Sequence, residues 1–332
     1  MKEALFYELI DKEKEIIKCL LCPKECVINE GKVGFCRARK NIEGKLYSLI
    51  YAKTSSVGFD PIEKKPLYHF LPGSSVLSLG TVGCNFACAF CQNWTISQAN
   101  IKDVQVEELS PEKAIQLTLK NNSPAICYTY SEPLIWYEYV LDTAKLAKKN
   151  NLKNILVTNG FINREPLVKL LPFIDAMNID LKSFRDSFYQ KYCKGNLSSV
   201  LDTIELAKKY CHIEITNLII PGLNDSDKEI KEMTDWISSL DPKIPLHFSR
   251  YFPCYKMKIP ATPISTLYKA RDIAQKKLKY VYVGNIWDEE ANITYCANCK
   301  KILIKRAGNN IINVGLDKDG KCKFCGEKVA LQ

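Results

Sequence analysis

Residues 76–94 read VLSLGTVGCNFACAFCQNW. The first seven are apolar and β-rich, as a strand buried on both faces requires. After Gly83 come three cysteines within eight residues, Cys84, Cys88 and Cys91. Three thiolates can hold three irons of a cubane and leave the fourth iron open. A catalytic centre needs such an open position and a structural one does not. The chain's three histidines, His69, His212 and His247, are too distant in sequence to offer a nearby fourth ligand.

Downstream of this loop, strand and helix patterns alternate. Ser110-Pro111-Glu112 is a helix start, with a capping serine, proline at the first position and an acid in the first turn. That helix is expected to reach about Lys120. Strands are expected at 125–130, 155–159, 176–181, 215–220, 245–250 and 279–284, and helices at 133–149, 165–171, 197–209, 226–239 and 265–278. Repeated β–α units imply a parallel sheet. The expected fold class is α/β, a partial (β/α)6 TIM-like barrel with small four-cysteine metal-binding modules at both ends. The expected divisions are 1–58 for an N-terminal metal-binding segment, 59–288 for the barrel and 289–332 for a C-terminal ribbon.

The end modules rest on cysteine spacing. Of 15 cysteines in 332 residues, 11 fall into three groups. At the C-terminus, Cys296, Cys299, Cys322 and Cys325 form two CxxC knuckles that suit tetrahedral Zn²⁺. The stretch KILIKRAGNNIINV between them reads as two short strands joined at Gly308-Asn309-Asn310. At the N-terminus, Cys19, Cys22, Cys26 and Cys36 suit either structural zinc or an auxiliary iron–sulfur cluster, and spacing does not separate the two. Cys127, Cys193 and Cys211 read as packing residues. The charged N-terminus is not a secretory signal and no apolar run is long enough to span a membrane, so the expected home is the cytoplasm. In that compartment thiols bind metal more readily than they form disulfides. The formal net charge is +10, and metal-bound thiolates would lower it.

The loop GCNFACAFCQNW at 83–94 resembles the CxxxCxxC loop of radical S-adenosylmethionine (SAM) enzymes, in particular the pyruvate formate-lyase activating branch. DPIEKKPLYHFLPGS at 60–74, YTYSEP at 128–133, NIDLKS at 178–183, LCPKECVINEGKVGFC near the N-terminus and the terminal ribbon are together similar to the AmmeMemoRadiSam-system radical SAM enzymes. The resemblance implies a [4Fe–4S] cluster whose open iron binds SAM. Reductive cleavage then gives methionine and a 5′-deoxyadenosyl radical that abstracts hydrogen from a substrate. It also implies a low-potential donor such as flavodoxin or ferredoxin, and an association with Memo-like and AMME syndrome protein-like proteins.

Barrel sites lie at the C-terminal ends of the strands. Polar groups cluster at those ends here: Tyr130-Ser131-Glu132, Thr158-Asn159-Gly160, Asp180 with Lys182, and Arg250. By resemblance, Glu132 contacts the amino group of SAM, although Tyr130-Ser131 replaces the family's two glycines. Lys182, in the Asp180-Leu181-Lys182 triplet, suits the methionyl carboxylate. Asn93 matches a SAM-contacting asparagine, Phe90 flanks the adenine, and Arg250 stands where related enzymes place a polar contact. Each has a plainer reading: Glu132 as a helix cap, Asp180–Lys182 as a rim ion pair, Thr158-Asn159-Gly160 as a turn, Arg250, His69 and His247 as structural. Cys254 stands where the family has an acid, and is read as a tolerated swap.

Three functions compete. The first is a radical SAM enzyme acting directly on its substrate. The second is an activase that installs a glycyl radical on a protein. The third is a zinc-dependent nucleic-acid-binding module, supported by the charge and by Lys148-Lys149, Lys208-Lys209 and Lys276-Lys277. Those doublets sit on expected helices and read more simply as solvated faces. No RNA-recognition or helix-turn-helix signature is visible.

Overall fold

The computed structural model describes residues 1–288, 290–307 and 310–329. An edge strand β1 (Ser56–Pro61) pairs antiparallel with β2 (Ser75–Gly80). From β2 onward every ladder of the main sheet is parallel: β3 (Ala125–Tyr128), β4 (Lys153–Thr158), β5 (Ala176–Asp180), β6 (His212–Ile219), β7 (Leu246–Arg250) and β8 (Val281–Gly284). The strands lie in sequence order. Among the described residues no ladder joins β8 to β1.

Six helices make the crossovers: α1 (Pro111–Lys120), α2 (Tyr137–Lys149), α3 (Arg164–Leu170), α4 (Ser198–Ala207), α5 (Asp227–Leu240) and α6 (Ile264–Ala274). The expected α/β partial barrel is the fold observed. The strands are largely apolar because helices cover one face and the barrel interior the other, with polar exceptions such as Glu214, Asn217 and His247. All four residues of β3 are buried. Ser110 caps α1 as expected, accepting from the Lys113 N–H at 3.3 Å. The helix expected at 133–149 instead opens with a 3₁₀ turn, Pro133–Trp136, before α2 begins.

The N-terminal segment is two small antiparallel sheets. One contains Lys2–Glu3, Lys45–Ser48 and Arg39–Ile42; the other contains Tyr7–Asp11, Ile16–Cys19 and Val27–Ile28. Both pack on the α2 side of the barrel. Arg39 and Glu138 form an ion pair at 2.5 Å, with both side chains 2% exposed. The Trp136 indole N–H donates to the Ile50 carbonyl at 2.6 Å. The division expected at 58/59 falls inside β1, which leaves the N-terminal segment and joins the barrel sheet.

The C-terminal segment is a three-stranded sheet of Thr294–Tyr295, Ile302–Ala307 and Asn310–Asn313. The Gly308-Asn309 part of its expected turn lies outside the described residues. Arg306 anchors it to the barrel by donating to the Tyr68 carbonyl at 2.8 Å, with its guanidinium over the Tyr68 ring. The lysine doublets are partly occupied in ion pairs: Lys148 with Asp175, Lys208 with Asp241 and Lys277 with Asp235.

Candidate active site

Cys84, Cys88 and Cys91 lie on the loop that leaves β2. Glycine is required at its start. Gly83 has φ +97°, and a Cβ there would stand 2.4 Å from the Cys36 carbonyl oxygen. Three backbone hydrogen bonds hold the loop: Ala87 and Ala89 donate to the carbonyls of Cys193 and Tyr192, and Gly83 donates to the Ile96 carbonyl. Cys88 is buried, whereas Cys84 and Cys91 are partly open.

Two of the three sulfurs have hydrogen-bond partners from the surrounding chain. The Phe86 N–H reaches Cys84 Sγ at 3.3 Å and Asn159 Nδ2 reaches it at 3.6 Å; Ser97 Oγ lies 3.1 Å from Cys91 Sγ. Hydrogen bonds to sulfur are a means of tuning iron–sulfur centres. Among the described residues, the one quartet with all ligand atoms within 4.8 Å of one another is Cys296, Cys299, Cys322 and Cys325. Three loop thiols with no histidine nearby fit a cluster that leaves one iron open.

The strand ends converge on this loop. Glu132, 2% exposed, caps the turn after β3 by accepting from Leu134 N–H at 2.9 Å. It also accepts from Thr158 Oγ1 at 2.6 Å and Asn159 N–H at 2.8 Å. Asn159 in turn donates to Asn85 Oδ1 at 2.9 Å. Glu132, Thr158, Asn159 and Cys84 are thus one connected network. Burial lifts the Glu132 carboxyl to about 7, against the pull of its donors.

Asp180 and Lys182 pair at 2.9 Å. Burial works against the Lys182 charge, but Asp180 and the Cys88 and Cys193 thiols outweigh it and hold its pKa well above the usual value. The Lys182 ammonium lies 6.0 Å from the Phe90 ring centroid, and Phe90 packs on Phe188. Asn93 is exposed and donates to the Tyr130 carbonyl at 2.7 Å. Arg250 is turned to the following loop, donating from Nε to the Thr262 carbonyl at 2.8 Å.

Several contacts at the site were not expected from sequence. Tyr130 sits at φ +69°, a left-handed conformation rare for a bulky residue. Its hydroxyl donates to Asp60 at 2.5 Å, and Asp60 also pairs with the buried Lys65 at 2.7 Å. These three line a cavity of about 490 Å³ with Thr216, Ser249 and Asn285. It spans β1, β6, β7 and the end of β8, inside the open side of the barrel. Cys193, read as packing, lies beside Cys88, and Cys254 Sγ is 3.5 Å from the Cys91 carbonyl.

The histidines meet at the opposite end of the strands. His212 and His247 contact the two oxygens of buried Glu214 at 3.0 and 2.6 Å, and the backbone N–H groups of Tyr68 and His69 also donate to it. Burial opposes ionisation of Glu214, but the two imidazoles hold its carboxyl well below the usual range. At the N-terminal end of a barrel such a cluster stabilises the fold.

Comparison with known proteins agrees with this geometry. Residues 78–237 match the family model of the Radical SAM superfamily. The chain is 47% identical to the uncharacterized protein MJ0808 of Methanocaldococcus jannaschii, over 99% of both chains. It is 29% identical to the pyruvate formate-lyase 1-activating enzyme of Escherichia coli over 44% of this chain and 61% of that enzyme. A radical SAM methyltransferase from Sphaerobacter thermophilus shares the fold, with a TM-score of 0.51 at 14% identity over 65% of this chain and 67% of that one. Residues 78–237 are a radical SAM superfamily domain. The chain is homologous to the pyruvate formate-lyase activating enzymes, and it is an enzyme that cleaves SAM to act through a radical.

Proposed function

We propose that this enzyme abstracts hydrogen from a small polar substrate held inside the barrel. The observation that carries this reading is the cavity of about 490 Å³ whose walls include Asp60, Lys65, Tyr130, Thr216, Ser249 and Asn285. A pocket with charged and hydroxyl groups set deep among strands suits a compact polar molecule better than an extended peptide.

In this reading Cys84, Cys88 and Cys91 hold a [4Fe–4S] cluster, and bound SAM supplies the radical when one electron enters. Lys182, fixed by Asp180, receives the methionyl carboxylate. Asn93 meets SAM at the exposed end of the loop and Phe90 borders its adenine. Glu132 acts through Thr158 and Asn159: its oxygens already accept three donors, so it is a positioning residue. Arg250 shapes the rim through its bond to Thr262. Cys296, Cys299, Cys322 and Cys325 hold Zn²⁺, on the support of their close convergence. The electron donor is a low-potential protein of the flavodoxin or ferredoxin class. The resemblance of the stretches at 60–74, 128–133 and 178–183, with both cysteine modules, supports reading the chain as an AmmeMemoRadiSam-system enzyme that shares a pathway with Memo-like and AMME syndrome protein-like proteins.

The second reading, an activase that forms a glycyl radical on a protein, is favoured by the similarity to the pyruvate formate-lyase 1-activating enzyme. Deuterium transfer separates the two. The reconstituted enzyme is incubated with SAM, reductant and the small-molecule or protein fraction of cells grown in heavy water. Deuterated 5′-deoxyadenosine formed only with the small-molecule fraction supports the proposal. Label arriving only from the protein fraction, with a glycyl radical signal, overturns it in favour of the activase.

A further inference from the structure

We infer that the outer face of the cysteine loop, with Lys24, Lys191, Lys194 and Lys256 around it, is the docking surface for an acidic one-electron carrier protein. The loop runs between two backbone segments. On one side the Ala87 and Ala89 N–H groups donate to the carbonyls of Cys193 and Tyr192. On the other the Lys256 N–H donates to the Ala89 carbonyl at 3.0 Å. Cys88 and Phe90 are buried, whereas Ala87, Ala89 and Cys91 are partly open. The loop thus comes to the surface on either side of Cys88, between the two segments that carry Lys191, Lys194 and Lys256.

Cations gather there without counter-charges. Lys191, Lys194 and Lys256 are exposed and Lys24 is half-buried. The Lys24 ammonium donates to the Lys194 carbonyl, which ties the N-terminal segment to this edge. Burial, with the Lys194 charge nearby, pushes the Lys24 pKa down. The described residues offer none of the four an ion pair. The acids beside them are engaged elsewhere: Glu25 pairs with Lys18 at 2.7 Å, and Asp186 accepts from the Leu197 N–H at 2.8 Å. Lysines on the helices differ, since Lys148, Lys208 and Lys277 have acidic partners within this chain. Unpaired like charges repel within a fold and complement an oppositely charged partner.

Aromatic surface lies among these charges. Phe35 is 39% exposed, with the Lys24 ammonium 4.2 Å from its ring centroid. Trp94 is 41% exposed and stacks on Tyr255 at 5.1 Å, and the Lys256 ammonium is 5.0 Å from the Tyr255 centroid. Exposed aromatic groups flanked by charge are what a protein interface is built from. Electron-transfer encounters need little buried area, and charge steering makes them fast to form.

The chemistry of the loop names the occupant. Reductive cleavage takes one electron: the carrier is oxidised by one electron, and the SAM sulfonium takes that electron up as its S–C5′ bond breaks. A carrier seated over Ala87 and Ala89 delivers it beside Cys88. The patch surrounds the redox loop itself, which favours a carrier over a nucleic acid. This inference rests on SAM cleavage and not on the small-substrate reading.

The test is binding and electron delivery. Binding of a purified acidic flavodoxin to the reconstituted full chain is measured by calorimetry, for the wild type and for Lys191→Glu, Lys194→Glu and Lys256→Glu together. 5′-Deoxyadenosine is then quantified with either reduced flavodoxin or dithionite as reductant. The reversed variant is expected to bind flavodoxin at least about tenfold more weakly. It should lose flavodoxin-driven product while dithionite-driven product and iron content stay unchanged. Wild-type binding should weaken between about 50 and about 300 mM salt. Dithionite-driven product from the wild type keeps failure of this inference separate from failure of SAM cleavage. Unchanged flavodoxin affinity in the variant, or no binding by the wild type at the lower salt, overturns the inference. Equal loss of product with both reductants at unchanged iron overturns it too. So does loss of single-stranded RNA binding with flavodoxin affinity retained, which would make the patch a nucleic-acid surface. If the reversed variant takes up less iron, Lys191→Gln, Lys194→Gln and Lys256→Gln together replace it, with the same expected directions.

Discussion

At Glu132 burial and hydrogen bonding pull in opposite directions. Its pKa of about 7 lies above the ordinary 4.5, so the folded chain holds this proton more tightly than the unfolded chain. The folded state therefore loses stability as pH rises from about 4.5 through about 7, by up to about 3 kcal/mol. Urea midpoints of the metal-free protein should fall more steeply between about pH 5 and about pH 8 in the wild type than in Glu132→Gln. Equal slopes would show that Glu132 is ionised in both states. Gly83 gives a second residue-scale expectation. Gly83→Ala forces a left-handed alanine and drives its Cβ into the Cys36 carbonyl. It should cost about 1–3 kcal/mol and lower the iron retained after reconstitution, and unchanged iron content and melting would contradict this. Tyr130 and Gly83 also mark what was hidden in the sequence. Neither constraint is local: one depends on Asp60 and Asn93, the other on a carbonyl from the N-terminal segment.

At the scale of elements, the parallel strands and their helices were legible because each carries its own period and cap. Ser110-Pro111 and the apolar run of β3 needed no tertiary information. β1 was not legible, because its residues are only partly buried and its pairing with β2 is antiparallel. The site was legible where it lies on one stretch, as with the three loop cysteines. It was not where remote groups converge, as with Asp60, Lys65 and Tyr130, or with the histidines around Glu214. The junction of the N-terminal sheets with α2 rests on the buried Arg39–Glu138 pair. Removing one partner leaves the other charge buried and alone, so Glu138→Gln should destabilise by about 3–5 kcal/mol. The paired replacement Arg39→Met with Glu138→Leu should cost less. A double variant as unstable as the sum of the singles, by urea denaturation, would show that the two do not act as a pair.

At the scale of the whole molecule, two small modules flank one barrel. The C-terminal module covers Tyr68, Tyr280 and Tyr282 at the floor, where they form a cluster with Cys296 and Leu303. If the four cysteines of this module hold the proposed zinc, a chelator should lower the melting temperature and expose tyrosine fluorescence to quenchers while iron content stays unchanged. If melting is unaffected, the ribbon does not need a metal to cover the floor. The central claim is that the loop after β2 and the rim around it cleave SAM reductively. The most direct measurement is anaerobic quantification of 5′-deoxyadenosine from the reconstituted enzyme with SAM and dithionite, beside Cys84→Ala. Deoxyadenosine from the wild type and none from the variant is the predicted result. Equal yields from both, or no yield together with a reduced-cluster EPR signal that SAM leaves unperturbed, would contradict it.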